Sequence, residues 1–316
     1  MVNLTYHLSD NLNQSLKNID NLRVEFLKIP LPPKLELKLR WESNVSKTYW
    51  GLSLADNNLT KNQIIKLLSS PIPKKMTNKE KEVINYMSTL SHIYSEWTGS
   101  TNYPGSKNIL EIYDMLCKNV FGSTNAYFKS KENEVNKILD FLISGKDHPV
   151  IQAGLIQIEI IKLSPFENAT GRVARMLSHL ILARYGYDFR GLLVLEDYYR
   201  DDLISLKEAT NSIEKYKNAT FWLEYFTNGI YVNMEKLLKS IKDRENSPVS
   251  PHWKLNHRQQ TILEKLENPN QKITNKDVQK YCSVSQITAS RDLSKMTNLG
   301  ILLPHGKGRS VFYTKV

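Results

Sequence analysis

Two long apolar runs broken by one short polar interruption constrain this 316-residue chain more than any other feature. The first passes from Val150 through Leu155, Ile158 and Ile161 to Leu163; the second resumes at Val173 and continues through Met176, Leu177, Leu180 and Ile181. The spacing predicts two buried helices joined by a short loop, because Pro165 biases Ser164 away from helical backbone. Thr170 and Gly171 would open the second helix. Backbone N–H groups at a helix start lack intrahelical acceptors and the helix dipole is positive there, so the loop is a ready anion site. Arg172 and Arg175 lie three apart on one face, within reach of such an anion. The same residues allow a second reading, in which both arginines cap acidic side chains and the loop only connects helices.

The string Ser164-Pro-Phe-Glu-Asn-Ala-Thr-Gly-Arg-Val173, followed by Ala174-Arg175, resembles the motif of the Fic (fido) family, His-x-Phe-x-Asp/Glu-Gly-Asn-Gly-Arg-x-x-Arg. Pro165, Phe166, Gly171, Arg172 and Arg175 agree with it. The resemblance implies a helical core and AMP transfer from ATP to a protein hydroxyl. It places Ser164 where the catalytic His belongs and Asn168 where a carboxylate holds Mg²⁺. Phe166, Ala169, Thr170, Gly171, Arg172 and Arg175 fall at the nucleotide-binding positions, with the two arginines on the β- and γ-phosphates. Serine cannot replace the base, since proton abstraction needs a group that titrates near working pH. A neutral amide holds Mg²⁺ weakly. Thr170 keeps a hydroxyl, while Ala169 lacks the conformational freedom of glycine. ATP and Mg²⁺ are thus cofactors by resemblance, weakened or lost here.

The resemblance extends to both flanks. Leu195-Glu-Asp-Tyr-Tyr199 looks like a Fic segment that precedes a tyrosine pair, replaced here by Leu206 and Lys207. Val120 to Phe128 occupies the place of the β-hairpin flap that clamps a target peptide, with Gly122-Ser-Thr-Asn125 as its turn. Ser53 to Thr60 resembles the end of an inhibitory helix, which makes Asp56 a regulatory partner for Arg175. Alternatively, Asp56-Asn57-Asn58 is a turn before a helix near Thr60. His148 and His179 match no catalytic position and read as cap or packing residues.

The formal charge of +11 is concentrated near the C-terminus: from His252 to Val316, eleven Lys or Arg accompany four acids, an excess of seven. Such a basic module meets polyanions. After Ser247-Pro-Val-Ser-Pro251, a helix opens at Leu255-Asn256. Thr274 caps a second, Cys282-Ser-Val284 forms a tight turn, and Ser285 caps a third whose Ile287, Leu293 and Met296 face inward. Two strand-like pieces, Ile301–Leu303 and Ser310–Tyr313, follow around a glycine-rich connection. This order is that of a winged helix-turn-helix, and the string from Val284 to Leu293 resembles the C-terminal domain of many bacterial Fic proteins. In that fold Gln286, Thr288, Ser290 and Arg291 on the third helix are the candidates for base edges, and Lys307 and Arg309 on the wing for phosphates.

The expected architecture is mainly α: an N-terminal arm with the inhibitory-helix-like segment (1–75), a Fic-type helical core with a small β-hairpin flap (76–246), and a winged helix domain (247–316). In the arm, Ile29-Pro-Leu-Pro-Pro33 reads as an extended segment along the core. No apolar segment approaches the roughly 18 uncharged residues of a membrane span, and the polar N-terminus shows no signal peptide. Cys117 and Cys282 suggest neither a disulfide framework nor a zinc site. The expected place is the cytoplasm. Two functions follow: a catalytically impaired nucleotide- or phosphate-binding scaffold that regulates through DNA, or an active adenylyltransferase or related phosphotransferase on a protein target that the sequence does not name.

Overall fold

The computed structural model describes every residue except 1–4, 30, 32, 72, 123–124, 146, 245–254, 267–270, 299–300, 307–310 and 316. In chain order run α1 (Asp10–Lys28), α2 (Pro33–Ser53), α3 (Lys61–Ser69), α4 (Asn78–Trp97), α5 (Ser106–Cys117), α6 (Asn125–Ser144) and α7 (Pro149–Leu163). They are followed by α8 (Thr170–Tyr185), α9 (Glu196–Asp201), α10 (Leu203–Tyr216), α11 (Thr220–Arg244), α12 (His257–Glu264), β1 (Ile273–Thr274), α13 (Asn275–Cys282), α14 (Gln286–Asn298), β2 (Leu302–His305) and β3 (Phe312–Lys315). The protein is mainly α-helical, and the described residues form one small antiparallel sheet. No helix among the described residues is long and apolar enough to cross a membrane.

The helix pair expected from the two apolar runs is α7 and α8, the most extensively packed pair in the chain. Every residue of α7 from Val150 to Ile158 is buried, as a helix apolar on all sides must be. His148 caps α7, its Nδ1 accepting the Val150 N–H at 3.2 Å, and Pro149 occupies the first turn, where a missing N–H costs nothing. Around this pair pack α4 and α5 against α8, and α6 and α11 against α7. Gly154 permits the last of these contacts: a Cβ there would lie 2.9 Å from Leu223 and 3.0 Å from Phe226 of α11. The approach lets Trp222 Nε1 donate to the Gly154 carbonyl at 2.8 Å.

The N-terminal arm is helical on both sides of the segment expected to be extended: Ile29 takes extended backbone (φ −78°, ψ 117°), Pro33 opens α2, and positions 30 and 32 lie outside the described residues. Leu12, Leu16, Ile19 and Phe26 recur at helical spacing, so α1 buries one stripe and packs on α11. Between 120 and 128 no strand occurs among the described residues, and the expected flap is a turn followed by α6. Phe128, Val135, Ile138, Leu139 and Leu142 repeat with helical period and are buried, which commits this stretch to a helix. The aromatics of α11 divide: Trp222 and Phe226 are fully buried, whereas Phe221 is exposed.

At the C-terminal end, Asn256 and Thr274 begin α12 and α13 with reciprocal caps to Gln259 and Asp277. Ser283, at φ 51°, turns the chain from α13 into α14. The sheet order is β1-β3-β2, with Ile273 opposite Tyr313 and Leu302 opposite Lys315. Strands begin one or two residues later than the sequence pattern indicated, and two-residue β1 carries no period of its own. Helix α14 packs against α3 of the core.

Candidate functional site

Ser164 ends α7 in left-handed backbone (φ 46°), its N–H donating to the Ile160 carbonyl at 3.0 Å, and its side chain is exposed. Phe166 then inserts into the core, stacking on Tyr113 at 4.5 Å and on Phe128 at 5.3 Å. Glu167 and Asn168 are exposed. Ala169 takes φ 59° without being glycine, a conformation that costs an L-residue about 1–2 kcal/mol. The Thr170 hydroxyl donates to the Phe166 carbonyl at 2.9 Å, which closes the loop on itself. Gly171 lies under Arg175, and an added Cβ would meet that guanidinium at 3.5 Å.

Both arginines turn inward. Arg172 Nη1 pairs with Glu82 Oε1 of α4 at 3.0 Å, both side chains being buried, and its guanidinium lies over the Phe121 ring at 5.5 Å. Glu82 is held by Asn57, whose amide donates to Oε2 at 2.8 Å and to the Lys79 carbonyl at 3.1 Å. Arg175 Nη2 donates to the Gly51 carbonyl at 2.8 Å. That oxygen belongs to the last turn of α2, where Leu54 N–H bonds Trp50 and the N–H groups of Ala55 and Asn57 both bond Leu52. A side chain from α8 therefore supplies a donor to a helix end. Any Cβ at Gly51 would collide with the Tyr86 hydroxyl, so glycine is what allows α2 to approach α4 this closely.

The expected pairing of Asp56 with Arg175 does not occur. Asp56 is exposed in the turn after α2 at φ 61°, and no ion pair joins its carboxylate to the half-buried Arg175. The turn reading holds, and the buried neighbour Asn57 supplies the link to Arg172 through Glu82. Arg172 and Arg175 each retain a buried Nε–H without an acceptor. No group of three or more His, Cys, Asp or Glu able to hold a metal occurs among the described residues.

Arg172, Arg175 and His179 recur at i, i+3 and i+7, so they form one stripe of α8. His179 Nε2 lies 2.7 Å from Glu196 Oε1, which also accepts from the Tyr86 hydroxyl at 3.1 Å. Burial pushes the Glu196 carboxyl up, but His179, Lys47 and Arg175 outweigh it and bring it down to about 2. Burial lowers Lys47, whose ammonium donates to the Gly191 carbonyl at 2.8 Å, and raises Asp188. A cavity of about 30 Å³ lined by Arg40, Lys47, Tyr94, His179 and Asp188 lies beside this cluster, room for a water molecule. The sequence signal for His179 was its place on the arginine stripe; Glu82 and the Gly51 carbonyl gave none.

A wider cleft of about 490 Å³ lies between α2, α3 and α11, with Trp41, Glu42, Lys61, Asp197 and Lys236 on its walls. Burial raises the Asp197 carboxyl to about 6. Neither cavity is lined by any residue of 164–175.

On the basic C-terminal module, Gln286, Ser290 and Arg291 are exposed on α14. Thr288 is half-buried, and its hydroxyl meets the capping Ser285 hydroxyl at 3.1 Å. Asn275 Nδ2 donates to Ser290 Oγ at 2.8 Å and to the Gln286 carbonyl at 3.2 Å, clamping the first turns of the helix. Asp292 faces inward and is neutralised by Arg258 Nε at 2.7 Å. Ile287, expected inside, is 65% exposed; the buried positions are Ala289, Asp292, Leu293 and Met296. Lys307 and Arg309 lie outside the described residues.

No protein-family model and no curated protein matches the chain. Solved structures do. A Fic family protein from Desulfovibrio desulfuricans G20 aligns with a TM-score of 0.64 at 13% identity, covering 99% of this chain and 98% of that one. Fic-1 (residues 134–508) from C. elegans aligns with a TM-score of 0.59 at 19% identity, covering 73% of each chain. A Fic domain-containing signaling protein from Bacteroides thetaiotaomicron aligns at 0.56 and 18% identity, covering 75% of this chain and all of the other. The chain has the Fic fold.

Proposed function

We propose that this protein is a catalytically impaired Fic-fold scaffold that binds DNA through residues 252–316 and regulates from there. The 164–171 loop is a nucleotide- or phosphate-binding element closed by the protein's own groups. The observation that carries this reading is the engagement of both motif arginines: Arg172 with Glu82 and Arg175 with the Gly51 carbonyl. A polyphosphate would have to displace these partners, although the unpartnered Nε–H of each arginine still offers a donor to an anion. Ser164 brings no imidazole to the loop, and His148 and His179 are engaged elsewhere, with Asp20 at 3.2 Å and with Glu196. The residues present do not fit a resident Mg²⁺, because Asn168 offers a neutral amide where a hard dication wants a carboxylate.

The DNA part rests on the charge of the module and on the shape of its third helix. Read as a winged helix, α12 to α14 with the three-stranded sheet would place α14 in the major groove, and Lys307 and Arg309 would meet phosphates. Incubation of the full chain with α-labelled ATP, Mg²⁺ and candidate proteins tests the first half. No label should be transferred, by the natural chain or by Ser164→His. Transfer that Arg172→Ala abolishes would establish the adenylyltransferase alternative instead. Retardation of random duplex DNA at several salt concentrations tests the second half: affinity should fall steeply as salt rises. Binding that is absent, or indifferent to salt, would leave the module as a protein contact.

A further inference from the structure

Ile287 lies on the outward stripe of α14. Gln286, Ile287, Ser290 and Arg291 share one face through i+3 and i+4 spacing, opposite the buried Ala289, Leu293 and Met296. Three of the four can hydrogen-bond, and the fourth is a β-branched hydrocarbon, 65% exposed, in the first turn of the helix. A lone exposed apolar residue needs no explanation on an arbitrary surface. This one lies among the side chains that the DNA-binding reading directs at base edges, on a basic module with an excess of seven positive charges. The position is also rigid for a surface, because Asn275 ties the Gln286 carbonyl and the Ser290 hydroxyl to α13.

In the major groove the apolar feature that a natural base pair presents is the C5-methyl of thymine; the other readable groups are hydrogen-bond donors and acceptors. We propose that Ile287 is a specificity-determining residue that reads a thymine methyl in the major groove, and this rests on the DNA-binding reading above. Gln286 and Arg291 beside it supply the polar part of the same readout, for which a carboxamide suits adenine and a guanidinium suits guanine. Contact with the methyl converts an apolar surface that water now covers into a buried one, and the free chain forgoes that gain.

The test begins with selection of bound duplexes from a random library by the purified full chain. In the best duplex, each thymidine is then replaced in turn by deoxyuridine, which removes only the methyl. At one position, or at its symmetry mate, affinity should fall about fourfold, the factor that corresponds to about 0.8 kcal/mol for one buried carbon group. Ile287→Ala should bind the thymidine and deoxyuridine duplexes equally, and Ile287→Val should restore part of the difference. Because the side chain is exposed, both variants should melt at the temperature of the natural chain, which separates misfolding from lost readout. Deoxyuridine without effect at any position, or discrimination retained in Ile287→Ala, overturns the assignment and leaves DNA binding intact. Failure to select any duplex overturns both. A 5-methylcytosine–guanine pair at the sensitive position keeps the methyl and changes the neighbouring groups. Weaker binding than thymine supports the proposal, and tighter binding reassigns Ile287 to methylated cytosine.

Discussion

The loop at 164–175 and the outer face of α14 have opposite relations to their solvent. In the loop, the residues that carry the motif are turned into the protein: Phe166 fills an aromatic stack, Thr170 bonds the loop itself, and Arg172 and Arg175 hold α4 and α2. On α14 the first two turns present Gln286, Ile287, Ser290 and Arg291 outward, and the inward acid, Asp292, is paired. The region richest in chemical signature thus works as framework, and the region with the weaker signature is open to a partner. A motif locates a shape; the partners of its polar atoms decide whether that shape is available.

The contrast can be broken most forcefully at Glu82. Glu82→Ala strands the buried Arg172 charge and should cost about 3–5 kcal/mol in denaturant unfolding; a loss below about 1 kcal/mol would mean that the arginine is not structural. Glu196 comes next. Its folded carboxyl lies near 2, below the ordinary carboxylate range, so it contributes stability above the unfolded value and surrenders it as pH falls from about 4.5 toward 2. Glu196→Gln should lower stability at pH 7 by a few kcal/mol and flatten the acid limb of a melting-temperature profile. On the open side, Arg291→Ala should leave unfolding within about 0.5 kcal/mol and reduce the salt slope of DNA binding by about one unit. The smallest effect belongs to Ala169→Gly. Relief of left-handed backbone, offset by greater freedom of the unfolded chain, should give a net gain of about 0.5 kcal/mol by thermal melting.

Much of the scaffold was legible because its signals are local. Pro165, the apolar periods on either side of it, and the caps at Thr274 and Ser285 each act within a few residues, and α7, α8, α13 and α14 lie where those signals put them. The misreadings came from longer reach. Asp56 was matched to Arg175 by motif position, but the acceptor is a main-chain oxygen at Gly51, 124 positions upstream, which leaves no trace in residue type. Glu82 stands 90 positions from Arg172 and has no distinguishing pattern in its helix. Ile287 was placed inside because it is apolar, although the spacing to Leu293 puts the two on different faces. The flap was expected from resemblance, and the helical period from Phe128 to Leu142 overrode it.

The carbonyl that receives Arg175 has a consequence of its own. No side-chain replacement at position 51 can delete that acceptor, and departure of the guanidinium leaves the Gly51 carbonyl without its side-chain donor at the end of α2. An anion that draws Nη2 of Arg175 away would therefore expose a main-chain oxygen 124 positions earlier in the chain. Amide hydrogen exchange near Ser53 would report on occupancy of the loop, quickening as polyphosphate is added.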